Sequence, residues 1–399
     1  EQSNRCRPNV PACPPPARVP QNATKPDWEK ENDCKVNLTV IPWDKYEETY
    51  TTALNSGEGP DVGYMYNEMF PTYIDAGAVE DMSSYVTDED KKEYKYLSNG
   101  NMMDGQYGWP LVTGVPFVLY YNEDILNALG EKAPETWDDF ARICQEATKD
   151  TDGDGKVDQY GFACGMNTSD IGAMQILNAY YYSALWQNGG QVYNDDLKSV
   201  SFADEAGKEA VTWLKGLTSY MNEDFMSLSW SDAFSNVFGA GKAAFGITRS
   251  SQTDGTTFAE TYPDLNWNFV TSLKNKDFGT FGATDCLTLM SACEDKDLAM
   301  DFIKYVTGSE FMTAYHAKCP GAALTESEPY VGDEKMEKIY TEDKDKWHGI
   351  QAGPCGTQIL NQLAADFQGI MSGETSVDEG LKEAEDYANG LLDEYWANK

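Results

Sequence analysis

The sequence predicts an α/β fold, and three features carry that prediction. Apolar residues alternate in Lys35–Ile41 and recur in the PDVGYMY segment that Pro60 opens, as is typical of strands. A helical segment ending at Gly57 separates the two, and this order of strand, helix and strand favours parallel pairing. Later segments repeat apolar residues every three or four positions, which indicates amphipathic helices. A chain of 399 residues is long enough for two domains, each with its own core.

The predicted elements run in order from Trp28. DWEKEN ends a short helix, and the strand at Lys35–Ile41 follows it. Thr136 is a candidate N-cap for the helix in ETWDDFARICQEATKD. The residues of that helix predicted to face inward are Trp137, Phe140, Ile143, Cys144 and Ala147. Further helices are predicted in AGKEAVTWLKGLTSYM, LAMDFIKYV, TQILNQLAADFQGIM and VDEGLKEAEDYANGLLDEYW.

The first 26 residues differ in composition from the rest of the chain. They are rich in proline, arginine and cysteine and show no periodicity. Proline lacks the backbone donor that a central strand needs, so we expect an irregular segment.

Net charge is the strongest feature of the composition. The chain carries 66 acidic and 30 basic residues, for a net charge of −36. Such a surface repels phosphate backbones and anionic lipid headgroups, which argues against binding to nucleic acid or to a membrane surface. It also disfavours an anionic ligand, unless local arginines or lysines override the field. High solubility is the simplest interpretation of this charge.

Cysteine and histidine give little sign of a metal centre or of a redox compartment. The chain has nine cysteines without a CxxC pair, and two histidines, so no zinc site of ordinary spacing is visible. An odd cysteine count leaves at least one free thiol in a monomer. No run of 18 apolar residues and no signal peptide is present, so an exported protein would have had its signal removed.

The segment DTDGDGKVDQYG resembles a calcium-binding loop. Its candidate ligands, at loop positions 1, 3, 5, 7 and 9, are Asp150, Asp152, Asp154, Lys156 through its carbonyl, and Asp158. Gly161 stands where the bidentate glutamate of such a loop belongs, and QYGFACG has the pattern of a strand. We therefore expect a structural calcium ion at most and no calcium switch. The alternative is a turn that satisfies its own backbone.

Motifs of catalysis are absent from the sequence. GxSxG, HExxH and GxxxxGK[ST] do not occur, and no cofactor is required by any motif. GEGPDVG precedes a strand instead of following one, so it indicates a helix end and a turn. We expect a binding protein and no enzyme.

Aromatic and polar residues follow several predicted strands, where α/β proteins bind their ligands. Aromatic faces suit the apolar faces of pyranose rings, and amides, carboxylates and arginine suit vicinal hydroxyls. Each aromatic residue could equally belong to the core. The candidate ligand-binding residues are Tyr66, Asn67, Glu68, Trp109, Thr113, Tyr182, Trp186, Trp230, Arg249, Phe281, Asp285 and Trp347.

Several motifs, in their order, resemble one family. They are YEETYTTALNSGEGPDV, YGWPLVTGVPFVLYYNEDILNALGEKAPETWDDF, LWQNGGQVYNDD, FGAGKAAFGI and LAMDFIKYVTGSEF with PGAALTES. Together they are similar to the extracellular solute-binding proteins of ABC importers, in the maltose-binding-protein-like group that carries sugars. The agreement runs from about Trp28 to the C-terminus, and each motif alone is weak.

The resemblance implies a two-lobed periplasmic-binding-protein-like fold (type II), with a hinge and an interlobe ligand cleft. It places the chain crossings near Leu111–Pro116, Gly246–Ser250 and Val306–Glu310. The implied division is an atypical segment 1–26, an N-terminal lobe of 27–113 plus 251–309, and a C-terminal lobe of 114–250 plus 310–399. If segment 1–26 is native, the first parallel strand of the family is missing or replaced.

The resemblance also implies a biological role. It implies that a sugar is captured by hinge closure and delivered to the membrane permease, and the many aromatics favour an oligosaccharide. We expect a monomer, extracellular and lipid-anchored at the surface of a Gram-positive cell, or periplasmic. A cationic solute such as a polyamine is an alternative ligand because Glu68 and Asp285 lie near aromatics. A glycoside hydrolase with paired carboxylates and a calcium-dependent adhesion module are further alternatives.

Overall fold

The computed structural model describes residues 5–6, 26–42, 45–57, 59–103, 105–168, 174–254 and 257–399. The strands described are β1 (Arg5–Cys6), β2 (Lys35–Val36), β3 (Val62–Tyr66), β4 (Asn101–Met102), β5 (Gly105–Gln106), β6 (Trp109–Asn122), β7 (Tyr160–Ala163), β8 (Ala243–Arg249), β9 (Trp267–Val270) and β10 (Gly282–Leu289).

Helices make up most of the remaining regular structure. They are α1 (Pro26–Glu31), α2 (Tyr46–Ser56), α3 (Phe70–Asp75), α4 (Asp90–Glu93), α5 (Glu123–Leu129), α6 (Trp137–Ala147), α7 (Tyr182–Gln187), α8 (Glu205–Gly216), α9 (Trp230–Ala233), α10 (Ser250–Thr253), α11 (Thr257–Thr261), α12 (Lys296–Thr307), α13 (Ser309–His316), α14 (Glu334–Thr341), α15 (Gly356–Ser372) and α16 (Val377–Ala397). None of these described helices combines the length and the apolar character needed to cross a membrane.

The chain divides into two compact units. Unit 1 comprises residues 1–114 and 283–332, and unit 2 comprises residues 115–282 and 333–399. The first boundary, after residue 114, falls within the predicted crossing at Leu111–Pro116. The second and third boundaries, after residues 282 and 332, lie later in the chain than the crossings predicted near Gly246–Ser250 and Val306–Glu310. Segment 251–282 stays with unit 2 because β9 pairs with β6 in that unit. Segment 310–332 stays with unit 1 because its backbone bonds to Glu93 and Lys95 there.

In unit 1, β3 and β10 form an antiparallel pair in which Tyr66 lies opposite Asp285 and Val62 opposite Leu289. Helix α1 is attached to α12 through Trp28, whose Nε1 donates to Asp301 at 2.9 Å and whose ring lies 5.3 Å from that of Phe302. The carboxyl end of β3 continues into a short 3-10 turn, Asn67–Met69. This turn carries two of the predicted ligand-binding residues.

In unit 2, β6 lies between β8 and β9 and pairs antiparallel with both, while β7 pairs parallel with β8. Helix α6 covers this sheet: the ring of Phe140 lies 5.4 Å from that of Phe162 on β7 and 4.8 Å from that of Phe245 on β8. All five inward positions predicted for α6 are buried. Thr136 caps the helix in a reciprocal box with Asp139, so the predicted N-cap is confirmed.

The start of the described chain departs from the prediction. The strand predicted at Lys35–Ile41 is wrong beyond Val36, because Leu38 and Val40 are 38% and 50% exposed and gain no buried face. The parallel pairing predicted for the first strand–helix–strand unit is not seen in the described residues: β2 pairs parallel with β1, and β3 pairs antiparallel with β10. Apart from Arg5–Cys6 and Pro26, the irregular segment predicted at 1–26 lies outside the described residues.

Candidate functional site

The twelve predicted ligand-binding residues divide equally between the two units. Unit 1 holds Tyr66, Asn67, Glu68, Trp109, Thr113 and Asp285, and unit 2 holds Tyr182, Trp186, Trp230, Arg249, Phe281 and Trp347.

In unit 1, the strand pair and the turn after β3 bring four of these residues together. Tyr66 lies directly opposite Asp285, so both side chains are on one face of the β3/β10 pair. Tyr64, two residues earlier on the same face, donates its hydroxyl hydrogen bond to Asp285 Oδ2. Tyr66 donates its own to Glu47 Oε1 on α2. Both phenols therefore act as donors to carboxylates.

Asn67 and Glu68 form what we call the acidic turn, at the carboxyl end of β3. Both residues are 8% exposed. Burial raises the pKa of the Glu68 carboxyl to about 7, and the negative charge of Asp285 contributes to this rise. Burial and the neighbouring carboxylates also raise the pKa of the Tyr64 and Tyr66 hydroxyls, which stay protonated at neutral pH. Asn67 Oδ1 is buried and finds no hydrogen-bond partner among the residues described.

Trp109 and Thr113 lie on β6 in unit 1 and are both buried. The Trp109 ring packs edge-on against Tyr94, with centroids 5.0 Å apart, and the Lys304 ammonium lies 5.2 Å from its centroid. These surroundings are those of a core residue. The Thr113 hydroxyl is buried and lacks a partner within the described part of the chain.

In unit 2, a continuous line of rings joins most of the predicted residues. Rings that are neighbours in this line lie 4.2 to 6.2 Å apart, centroid to centroid. We call it the aromatic row, and in order it contains Trp230, Phe117, Phe281, Tyr182, Trp186 and His348. The sequence-based prediction missed Phe117 and His348. The first lies in the YGWPLVTGVPF segment that supplied two candidates, and the second follows the candidate Trp347.

Two π-helical segments adjoin the aromatic row. Leu177–Tyr181 leads directly into Tyr182, and Phe234–Phe238 follows the short helix that begins at Trp230. The π-helix is rare and often marks a functional site, because it displaces side chains from their ordinary helical positions. Nothing in the sequence predicted either segment.

Arg249 ends β8 beside one end of the aromatic row. Its guanidinium carbon lies 5.4 Å from the ring centroids of both Phe117 and Trp230, and Nη2 donates to Gln175 Oε1 at 2.9 Å. A cation held over two ring faces fixes the orientation of those rings. Trp230 Nε1 is buried and has no hydrogen-bond acceptor among the described residues.

Trp347 and His348 support the other part of the row. Trp347 is buried, its Nε1 donates to the carbonyl of Ile339 at 3.1 Å, and its ring would lie 2.6 Å from a Cβ at Gly282. The Trp347 ring therefore occupies the space that a side chain at 282 would need. His348 is exposed to solvent. Partial desolvation lowers the pKa of its imidazole, and the charge of Asp277 acts in the opposite direction.

The predicted calcium loop brings three of its candidate carboxylates together. Oxygen atoms of Asp150, Asp152 and Asp158 lie within 4.8 Å of one another, as a divalent cation requires. Asp150 also accepts from the amides of Gly153 and Gly155, at 2.6 and 2.7 Å, and these amides lower the pKa of its carboxyl. The Asp154 carboxylate lies outside the cluster and accepts from the Lys156 amide at 2.8 Å.

Position 12 of this loop cannot carry a glutamate. A Cβ at Gly161 would lie 2.4 Å from the carbonyl oxygen of Cys144 and 2.6 Å from its Cα. Gly161 belongs to β7, as the sequence pattern predicted, so no exiting helix follows the loop. The loop therefore lacks the bidentate ligand of a calcium sensor, and calcium binding by its three clustered carboxylates stays a prediction.

Similar proteins were found among sequences and among solved structures. A binding protein of Brucella abortus (strain 2308) is 25% identical over 329 residues, 78% of this chain and 72% of its own. The multiple sugar-binding protein of Streptococcus mutans is 32% identical over 130 residues, 31% of this chain and 30% of its own. The structure of the sugar-binding protein MalE from Xanthomonas citri aligns with a TM-score of 0.77 at 17% identity, covering 98% of both chains.

The structural alignment shows that the fold is the two-lobed α/β fold of the periplasmic binding proteins, as the sequence predicted. The sequence model of one family, described as bacterial extracellular solute-binding protein, matches residues 26–329. That range includes unit 1 from residue 26 to 114 and from 283 to 329, together with the strands of unit 2. The chain therefore belongs to the family of bacterial extracellular solute-binding proteins.

Proposed function

We propose that this protein captures a sugar, an oligosaccharide in particular, and presents it to the permease of an ABC importer. The observation that carries the proposal is Trp186 in the aromatic row of unit 2, whose ring is only partly buried and suits the apolar face of a pyranose unit. The row's rings at Trp230, Phe117, Phe281 and Tyr182 are buried and hold Trp186 in place. The sugar-binding relatives of Streptococcus mutans and Xanthomonas citri support this choice of ligand.

Each unit, taken by itself, also carries polar groups that can bind sugar hydroxyls. In unit 1 the acidic turn and Asp285 offer acceptors for sugar hydroxyls, and in unit 2 Arg249 offers donors beside Trp230. In unit 1, Asn67 Oδ1 lacks a partner in the described chain and would gain a donor from a ligand bound at the acidic turn. Closure of the two lobes on the ligand stays a prediction drawn from the family.

The bound sugar would be released unchanged. A glycoside hydrolase needs two carboxylates placed on either side of the bond that it cleaves. Here the Tyr64 hydroxyl donates to Asp285, and the Tyr66 hydroxyl donates to Glu47. Carboxylates held in this way are suited to orienting hydrogen bonds. We further propose that the protein acts as a monomer outside the cytoplasm, held at the cell surface by a lipid anchor or free in a periplasm.

A cationic solute such as a polyamine is the second candidate ligand. The observation that favours it is the buried Glu68 carboxyl, which a positive charge on the ligand would stabilise in its ionised form. This candidate keeps the role of a transport receptor and changes only the solute.

Thermal unfolding against a panel of ligands tests the proposal. The panel contains maltotriose, other neutral oligosaccharides and spermidine, each added with calcium and with a chelator. A ligand at about 100 times its Kd adds roughly 2.7 kcal/mol of stability, which raises the unfolding midpoint. We expect a rise with one class of oligosaccharide and recovery of the sugar intact after incubation. No rise with any sugar, or cleavage of the sugar, would contradict the proposal.

A further inference from the structure

Gln187 is a buried residue at the end of α7, next to the partly exposed tryptophan of the aromatic row. It is 5% exposed, and both ends of its side-chain amide are hydrogen-bonded within unit 2. Oε1 accepts from Trp137 Nε1 at 2.7 Å, and Nε2 donates to the carbonyl of Gly279 at 2.9 Å and to Ser272 Oγ at 3.3 Å. The amide therefore joins α7 to α6 and to residues 271–281, which we call the β9–β10 loop.

The main chain of Gln187 binds the same loop. Its carbonyl oxygen accepts from the amides of Lys276 and Asp277, at 2.9 and 3.0 Å. A Cβ at Gly279 would lie 2.6 Å from Trp186 Cβ, so glycine is needed there for the loop to lie this close to the base of the tryptophan. The loop that Gln187 holds is thus the wall against which Trp186 packs.

The β9–β10 loop also fixes His348, the exposed neighbour of Trp186 in the aromatic row. The His348 amide donates to the carbonyl of Thr280 at 3.1 Å, and the carbonyl of His348 accepts from the Gly282 amide at 3.0 Å. The His348 and Trp186 rings lie 4.2 Å apart, centroid to centroid. Hydrogen bonds therefore lead from Gln187 through the loop to both members of the row that solvent reaches.

Packing alone does not hold the Gln187 side chain in its orientation. A cavity of about 50 Å³ is lined in part by Gln187, Ser183 and Leu214, so Gln187 borders free space. Protein interiors are otherwise filled so densely that neighbouring atoms restrict each side chain. Because that restriction is incomplete here, the hydrogen bonds of the amide set its orientation.

Resting on the proposed function, we propose that Gln187 is a positioning residue for sugar binding, because its amide fixes Trp186 and His348 through the β9–β10 loop. A ring that is held in its binding orientation before the sugar arrives loses no further freedom in the complex, and this raises the affinity. A mobile ring binds the same sugar less tightly. In this role Gln187 needs no contact with the sugar.

Fluorine NMR of the ligand-free protein tests this inference, because it observes the ring directly. All 10 tryptophans are replaced by fluorotryptophan, and Trp186→Phe in each background identifies the Trp186 line by its absence. Gln187→Met keeps the size of the side chain and removes the hydrogen bonds of the amide. We expect the Trp186 line to shift or broaden in this variant. Ser272→Ala, which removes one of these bonds, should have a smaller effect of the same kind.

Gln106→Met is the matched control. Gln106 is also 5% exposed, and its Nε2 donates to the carbonyls of Leu97 and Gly108 at 2.9 and 2.6 Å, but it lies in unit 1. Both glutamine variants should lose stability in urea unfolding, since each leaves buried backbone carbonyls without this donor. Only Gln187→Met should change the Trp186 line, which a purely structural role would leave in place.

Calorimetry with maltotriose, cellotriose and N,N′-diacetylchitobiose measures the consequence for binding. For each of these neutral sugars that binds the wild type, Gln187→Met should bind at least about fivefold less tightly and Gln106→Met equally well. An unchanged Trp186 line in Gln187→Met, or a changed line with unchanged affinity, would overturn this inference and leave the sugar receptor intact. No binding of these sugars to the wild type would count against the proposed function, while the Trp186 line would still show whether Gln187 positions the ring.

Discussion

The raised pKa of Glu68 predicts an unusual dependence of stability on pH. In the folded protein this pKa is about 7, against an ordinary value of 4.5. Each pKa unit corresponds to about 1.4 kcal/mol, so the rise amounts to roughly 3 kcal/mol. Because the folded state binds this proton more tightly than the unfolded state does, the contribution favours folding at low pH. It is lost as the pH rises from about 4.5 to about 7.

Glu68→Gln removes this titration while keeping the size of the side chain. Above about pH 7.5 the variant should therefore be more stable than the wild-type protein by about 3 kcal/mol, and near pH 4.5 the two should be equal. The assay is urea unfolding of both proteins without ligand, followed by tryptophan fluorescence between about pH 4.5 and 8.5.

Glu89→Gln is the matched control. Glu89 is exposed in the same unit, so this variant should follow the wild-type stability at every pH. Parallel curves for wild type and Glu68→Gln across the whole range would refute the reasoning, because they would show that Glu68 titrates alike in the folded and unfolded chain.

Three further predictions concern stability at other places in the fold. Gly161→Ala should destabilise the protein by about 3 kcal/mol in urea unfolding, because its Cβ would meet the Cys144 backbone, whereas Gly216→Ala, with open space around it at a helix end, should be neutral or stabilising. If Gly161→Ala were as stable as the wild-type protein and Gly216→Ala were less stable, the packing described at β7 would be contradicted. Thr136→Ala should lower stability by about 1 kcal/mol through loss of the capping box, and an unchanged midpoint would argue against that cap. Calcium should raise the thermal midpoint of the wild type but not of Asp150→Asn, and an equal rise in both would place the ion elsewhere.

Features set by local chemistry were predictable from the sequence. The helix at Trp137–Ala147 was placed correctly because a capping threonine, acidic residues in the first turn and a regular apolar face all agree. The end of the helix Tyr46–Ser56 was predictable in the same way, because Gly57 readily adopts the left-handed conformation that terminates a helix. Such signals lie within a few residues of one another and need no partner from elsewhere in the chain.

Features that depend on distant partners were not predictable in this way. Val36, Leu38 and Val40 alternate as a strand should, but the chain offers the last two no surface to cover, so the strand ends at Val36. Antiparallel pairing of β3 with β10 joins segments more than 200 residues apart, which strand patterns alone cannot match.

The candidate site shows the same division. Residue chemistry and loop position singled out Glu68, Asp285 and Trp230. Their neighbours became visible only in three dimensions, because Phe117 looked like one more buried strand residue and His348 stood alone in a polar segment. Trp109, which the sequence offered as a ligand-binding residue, is surrounded like a core residue by Tyr94 and Lys304.

Binding of the tightest oligosaccharide to a variant of the aromatic row tests the central claim most directly. Calorimetry should give saturable binding at one site in the wild type and a loss of at least about tenfold in affinity for Trp186→Ala. Trp396→Ala is the matched control, since Trp396 is exposed on α16, in the same unit as the row but outside it. Both variants must keep the wild-type circular dichroism spectrum. Equal affinity in wild type and Trp186→Ala, or no binding of any oligosaccharide, would contradict the account of a sugar receptor.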